Sequence, residues 1–149
     1  MSSEEELIIY RRSMRIPYRW AAGMTATRFY REIAESKKIY GTRCSNCARV
    51  LMPARKSCSR CFRDIDEWVE VGPNGTVQSF TVIHYQEPIH PLPVPLVYAL
   101  IQLDCADTAF VHIIRGIEAS AVRTGMRVTA VFAEQPTGQI TDIQYFKPL

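Results

Sequence analysis

No stretch of this chain is apolar over anything near the ~20 residues that a membrane-crossing helix needs. The longest candidate, Leu92 to Leu103, is short and broken by Pro93 and Pro95. The first six residues, Met1 to Glu6, are acidic where a secretion signal would be basic. A reducing cytoplasm is therefore the expected compartment, with the five cysteines as thiols rather than disulfides. Gly-rich phosphate loops, nucleophile elbows and HExxH motifs are all missing. So are internal repeats and low-complexity tracts. Histidine is scarce, at three residues in 149, and His84, His90 and His112 are scattered. His112 alternates with Phe110 and Ile114 on one strand face, which reads as an interior or rim residue rather than a catalytic base.

What the chain does have is unevenly placed. The length leaves room for one domain or two small ones, and 47% hydrophobic residues suit a folded protein rather than a disordered one. The net charge of +3 hides a split. Residues 1–63 hold 14 of the 18 Lys and Arg and 5 of the 15 acids, a net +9. Residues 64–149 hold the other 4 basic and 10 acidic groups, a net −6. The basic groups are 14 Arg against 4 Lys, and the planar Arg fork suits phosphate and carboxylate.

Three segments follow from the patterning, at residues 1–39, 40–66 and 67–149. In the first, Ser3 and Glu6 have the form of a capping box, and Leu7, Ile8 and Tyr10 to Met14 continue as a short helix that Pro17 stops. After Gly23, Thr25 or Thr27 caps a second helix to about Lys38, with Phe29 and Ile33 on one stripe and Gly41 ending the pattern. The third segment predicts a short strand Trp68–Val71, then Gly75–Tyr85, Leu96–Leu103, Ala109–Ile114, Arg127–Glu134 and Ile140–Phe146. Gly116–Thr124 is a connector, either a short helical turn or a loop. Five main strands with a connector before the fourth fit a small Greek-key barrel of the OB type, with a five-strand sandwich as the alternative.

The middle segment has too few apolar residues for a core. It has Cys44-Ser-Asn-Cys47 and Cys58-Ser-Arg-Cys61, ten residues apart. Two such pairs each wrap a backbone knuckle around one metal and supply four thiolates in a tetrahedron. Soft sulfur selects zinc first, with rubredoxin-like iron as the alternative. Four protein ligands leave no open position for substrate, so the metal replaces a core rather than running chemistry. Arg43, Arg49, Arg55, Lys56, Arg60 and Arg63 surround the pairs and offer a docking surface.

The order of these pieces carries a resemblance. Ile16-Pro17-Tyr18-Arg19-Trp20-Ala-Ala-Gly23, Arg28-Phe29-Tyr30, and Lys38-Ile39-Tyr40-Gly41-Thr42-Arg43-Cys44 are similar to one family. Gly72-Pro-Asn-Gly75, Pro95 to Leu103 and Gly125-Met126-Arg127-Val128 match it as well. That family joins a helical arm, a rubredoxin-like zinc ribbon and a C-terminal OB fold, and was long catalogued as a domain of unknown function. Ala48 departs from the Gly common after the second cysteine, and Pro53-Ala54 from a common Pro-Pro. Ala at a positive-φ position strains the knuckle slightly.

The resemblance implies acyl-CoA chemistry: an accessory subunit beside thiolases or hydroxymethylglutaryl-CoA synthases, with no catalytic triad of its own. Under it, Arg19, Trp20, Arg28, Phe29 and Tyr30 are the candidate acyl-CoA contacts, with Tyr18, Arg11, Arg12 and Arg15 nearby. A groove between arm and barrel would take the pantetheine. Phe29 and Ile33 fit better as anchors for a packed helix, since an apolar stripe at helical spacing is usually packing. Two other readings stand beside this one: a single-stranded nucleic-acid binder, which the acidic barrel half disfavours, and a scaffold without a ligand. Cys105 reads as an incidental thiol, and Asp104, Asp107 and Glu118 as solvated loop charges.

Overall fold

The computed structural model describes residues 8–149. Residues 8–22 have no regular secondary structure and are exposed throughout. The helix expected over Ile8 to Met14 is therefore not formed. Nothing among the described residues covers an apolar face there, Arg11, Arg12 and Arg15 repel one another, and a short unpacked helix is marginal in water. Ser3, Glu6 and Leu7 of the expected capping box and helix start lie outside the described residues.

The first helix, α1, is Gly23–Ser36. It starts before the expected threonine caps, with Ala22 at the N-cap and no side-chain capping bond. Thr27 instead lies inside the helix and donates its hydroxyl to the Gly23 carbonyl at 2.8 Å. The helix stops before Gly41, because Lys37 turns left-handed at φ 55°. The Lys37 and Lys38 N–H groups then cap the Ile33 and Glu32 carbonyls. Phe29 and Ile33, one turn apart, are the two buried residues of α1.

Three short strands follow: β1 (Tyr40–Arg43), β2 (Val50–Leu51) and β3 (Glu67–Glu70), in the order β2-β1-β3. The strand expected to open the barrel segment is this β3. It pairs with β1, Tyr40 opposite Glu70 and Arg43 opposite Glu67. The barrel is closed without it, so the free edge it can join belongs to β1. Gly41 is required there, since a Cβ would lie 2.9 Å from the Leu51 carbonyl oxygen.

The barrel is made of β4 (Asn74–Ile83), β5 (Leu96–Leu103), β6 (Ala109–Ile114), β7 (Arg127–Phe132) and β8 (Ile143–Pro148). It closes in the order β4-β5-β6-β8-β7, with β7 returning to β4. This is the OB arrangement, and among the described residues the fold is mainly β with one α-helix. Ala119–Ala121 forms a single 3-10 turn in the connector. Ile140–Asp142, expected as the start of the last strand, is also a 3-10 turn. The buried Asp142 carboxylate accepts the N–H groups of Thr137, Gly138 and Gln139 and curls the chain there.

The closure has one thin place. The parallel pair β6–β8 has a single bridge, Ile114 to Phe146, with the Arg115 N–H donating to the Phe146 carbonyl at 2.8 Å. Inside, Val77, Ile101, Val128, Ile143 and Phe146 are fully buried. Phe29 and Ile33 of α1, Ile39, and Val50 and Met52 of the cysteine segment belong to the same cluster. Helix, ribbon and barrel thus share one core.

A polar latch joins them as well. The Val50 N–H donates to Asp107 Oδ2 at 2.8 Å, and the Asp107 N–H donates back to the Val50 carbonyl at 2.8 Å. The Met52 N–H donates to Thr108 Oγ1 at 2.7 Å, and that hydroxyl donates to the Met52 carbonyl at 2.8 Å. Asp107 is therefore not a free solvated charge. Neither is Asp104, which holds Arg127 through two bonds of 2.7 and 2.6 Å. No described helix is long and apolar enough to cross a membrane.

Candidate metal centre and barrel groove

Each cysteine pair opens a tight knuckle. The Cys44 N–H donates to the Arg49 carbonyl and the Cys58 N–H to the Arg63 carbonyl, both at 2.9 Å. The residue after each second cysteine turns left-handed, Ala48 at φ 56° and Phe62 at φ 57°. The sequence flags Ala48; its twin Phe62, exposed at the opposite knuckle, carries no sequence mark.

The knuckles bring Cys44, Cys47, Cys58 and Cys61 together, with all four sulfurs within 4.8 Å of one another. Cys44 and Cys61 Sγ are 3.4 Å apart, Cys47 and Cys58 Sγ 3.6 Å. A tetrahedron with metal–sulfur bonds of about 2.3 Å has edges near 3.8 Å. These spacings fit that figure and are far beyond the ~2.05 Å of a disulfide. Cys44 and Cys58 are buried, while Cys47 and Cys61 are partly exposed.

The backbone prepares the thiolates. The N–H groups of Cys61 and Arg60 bring the Cys58 thiol down to about 6. The Cys47 N–H, helped by that of Asn46, lowers Cys44 against its burial. At Cys47 the Arg49 N–H pulls downward, but burial and the neighbouring Cys44 and Cys58 outweigh it and push the thiol up to about 11. Four sulfurs that repel one another's ionisation need a cation to be thiolates together. The four cysteines form a metal-binding site, and the all-sulfur set is one that zinc fits.

The candidate acyl-CoA residues are not gathered. Arg19 and Trp20 stand exposed before α1. Arg28 lies over the Trp68 ring at 4.3 Å and pairs with Glu32 at 3.8 Å. Phe29 is buried in the core at 2% exposure, so its ring has no face for a ligand. Tyr30 lines a shallow cleft of about 340 Å³ between α1 and the Gly138 turn.

A larger groove, about 440 Å³, lies elsewhere, over the thin β6–β8 junction. Leu92, Val111, Ile113 and Ile140 give it apolar walls, and Arg115 and Tyr145 stand in its lining. His112 is half-buried there, its ring 5.8 Å from Phe110 and 5.5 Å from Phe146. Burial holds its pKa below the ordinary imidazole value. Sequence reading singles out His112 alone of this set, because the groove joins residues from strands and loops far apart in the chain.

The comparisons with known proteins agree with this architecture. Residues 31–67 match the ChsH2 rubredoxin-like zinc ribbon domain, and residues 68–133 the ChsH2 C-terminal OB-fold domain. A DUF35 domain-containing scaffold protein of Methanocaldococcus jannaschii is 31% identical over 127 residues, covering 82% of this chain and 89% of that one. A chain of the solved Ltp2-ChsH2(DUF35) aldolase superposes with a TM-score of 0.62 at 27% identity, covering 87% of this chain and 98% of that one. A DUF35 protein of unknown function from Sulfolobus solfataricus shares the fold, with a TM-score of 0.63 at 24% identity over 85% of this chain and 84% of its own. With the four-cysteine ribbon followed by a five-stranded OB barrel, the chain belongs to the DUF35 family of ChsH2-type zinc-ribbon and OB-fold proteins.

Proposed function

We propose that this protein is a non-catalytic accessory subunit that docks on an acyl-CoA enzyme of the thiolase or hydroxymethylglutaryl-CoA synthase kind. One observation carries the reading. Ile8, Ile9, Tyr10, Met14, Ile16, Tyr18 and Trp20 are 68–82% exposed. They are interleaved with Arg11, Arg12, Arg15 and Arg19 in a segment without secondary structure. Apolar and aromatic side chains in that density are costly in water and typical of a surface that a partner covers. The interleaved Arg suits an acidic patch or a phosphorylated cofactor at the same interface.

The names of relatives support the direction. One is called a scaffold protein, and another is a chain of an aldolase. Zinc is the metal this reading assigns to the four thiolates, with iron the alternative; with all positions filled by protein, its role is structural. In the complex, Arg19, Trp20 and Tyr30 contact the CoA portion, with the Arg guanidinium taking its phosphates and the aromatic faces its adenine.

Co-purification from the native host tests partner identity directly. An acyl-CoA enzyme is expected to elute with the protein and to be lost on the double change Trp20→Ala and Arg19→Ala. Calorimetry with acetyl-CoA, and with single-stranded DNA and RNA as controls, tests the ligand. Oligonucleotide binding that weakens steeply with salt, without any response to CoA in the presence or absence of the partner, overturns the reading.

A further inference from the structure

We propose that the barrel carries a ligand site of its own, in the groove over the β6–β8 junction, for a small apolar molecule bearing one anionic group. The site is separate from residues 8–22 and does not rest on the accessory-subunit reading.

The groove exists because the closure is incomplete there. The Arg115 amide points at β8 and finds the Phe146 carbonyl at 2.8 Å. By the two-residue period of a strand, the Ile113 amide points the same way. It meets no strand, and is capped instead by Nδ1 of its own neighbour His112 at 2.9 Å. The imidazole thus satisfies an amide that a complete β6–β8 ladder would have used. The two strands are joined by that single bridge, and apolar side chains are exposed beside it. Val111 is 62% exposed at this place.

Charge then selects the ligand. Among the described residues, the lining includes no Asp and no Glu. His112 is neutral near pH 7, since burial lowers its pKa and Nδ1 is accepting a hydrogen bond. Arg115 is the one permanent charge among the described lining residues. Its guanidinium is 5.5 Å from the Tyr145 ring, and none of the ion pairs among the described residues includes it. One cation over apolar walls complements one anion on an apolar body. A volume near 440 Å³ is within the range of small-molecule sites.

The second and third strands of OB barrels are a common ligand face, and the groove borders that face through Tyr98, Val111 and Ile113. Nucleic-acid binders there track a polyanion with several cations. A single Arg does not do that. An aliphatic carboxylate fits better.

Amide NMR on the zinc-loaded full chain reads the site directly, with octanoate as the probe and octanol as its neutral counterpart. Octanoate is expected to shift the amides of residues 111–115 and 140–145 saturably and to bind about fivefold tighter than octanol, as one half-exposed ion pair gives. The change Arg115→Gln is on the surface and is expected to leave the spectrum folded, to leave octanol binding unchanged and to erase the preference for octanoate. Val111→Asp is expected to weaken both ligands. Three results overturn the proposal: no saturable shifts, equal affinity for the two probes in the unaltered protein, or shifts confined to residues 8–22.

Discussion

Replacing Thr108 by Val probes whether the cysteine ribbon and the barrel unfold as one body. The two side chains have the same shape, so packing is kept. The hydroxyl is lost, and with it both bonds to Met52, at 2.7 and 2.8 Å. Met52 is 1% exposed, so water does not replace the hydroxyl at its N–H and carbonyl. A buried polar group without a partner costs about 1–3 kcal/mol, and a lone carbonyl is tolerated better than a lone N–H. The expected loss is about 2–4 kcal/mol. Urea denaturation of the metal-loaded protein, followed by tryptophan fluorescence and far-UV circular dichroism, measures it. The two probes are expected to move together to a lower midpoint with an unchanged slope and unchanged metal content. Asp107→Ala removes the adjacent bond to Val50, and the double variant is expected to be non-additive because both side chains hold the same short segment, Val50 to Met52. A loss under about 0.5 kcal/mol for Thr108→Val, or two separated transitions in the unaltered protein, refutes the idea of a latch.

Three further outcomes follow from single sites. Cys47→Ser is expected to lower bound metal well below one ion per chain and to melt residues 40–66, read by metal analysis and amide exchange; a metal-free protein with an intact ribbon contradicts the structural role. Ala48→Gly relieves a left-handed residue at φ 56° and is expected to stabilise the metal-loaded protein by up to about 1 kcal/mol, less the extra freedom glycine has when unfolded, which thermal melts report. Burial pushes the Asp142 carboxyl up, but the N–H groups of Thr137, Gly138 and Gln139 and the Thr137 hydroxyl outweigh it and hold it below its ordinary range. Its contribution is therefore fully present above about pH 5 and fades as pH falls through the lowered value, so Asp142→Asn is expected to be less stable than the parent at pH 7 and to converge with it toward pH 3 in denaturation curves.

Some of this molecule can be read directly from the order of its residues. Strands Leu96–Leu103 and Ala109–Ile114 have the expected bounds, because an alternating apolar pattern between turn residues defines both ends locally. The metal centre is equally plain, since knuckle spacing is a local property and the two pairs need only one further contact to close. The helix of residues 23–36 shows in its Phe29–Ile33 stripe, although its start is displaced. Residues 8–14 failed as a helix for the reason that makes them interesting. Their side chains have a helical pattern but no surface to pack on among the described residues.

Composition, strand periodicity and cysteine spacing by themselves determined a mainly β protein with a four-thiolate site ahead of a small barrel, because each rests on interactions between near neighbours. Only the tertiary structure decided the rest. It sent β3 to the ribbon because the barrel has no edge left to receive it. It turned Asp107 from a loop charge into a latch across 57 residues. It left one junction of the barrel joined by a single bridge, and so placed Arg115 beside an apolar groove. These outcomes depend on contacts between distant segments, whose partners no local pattern specifies.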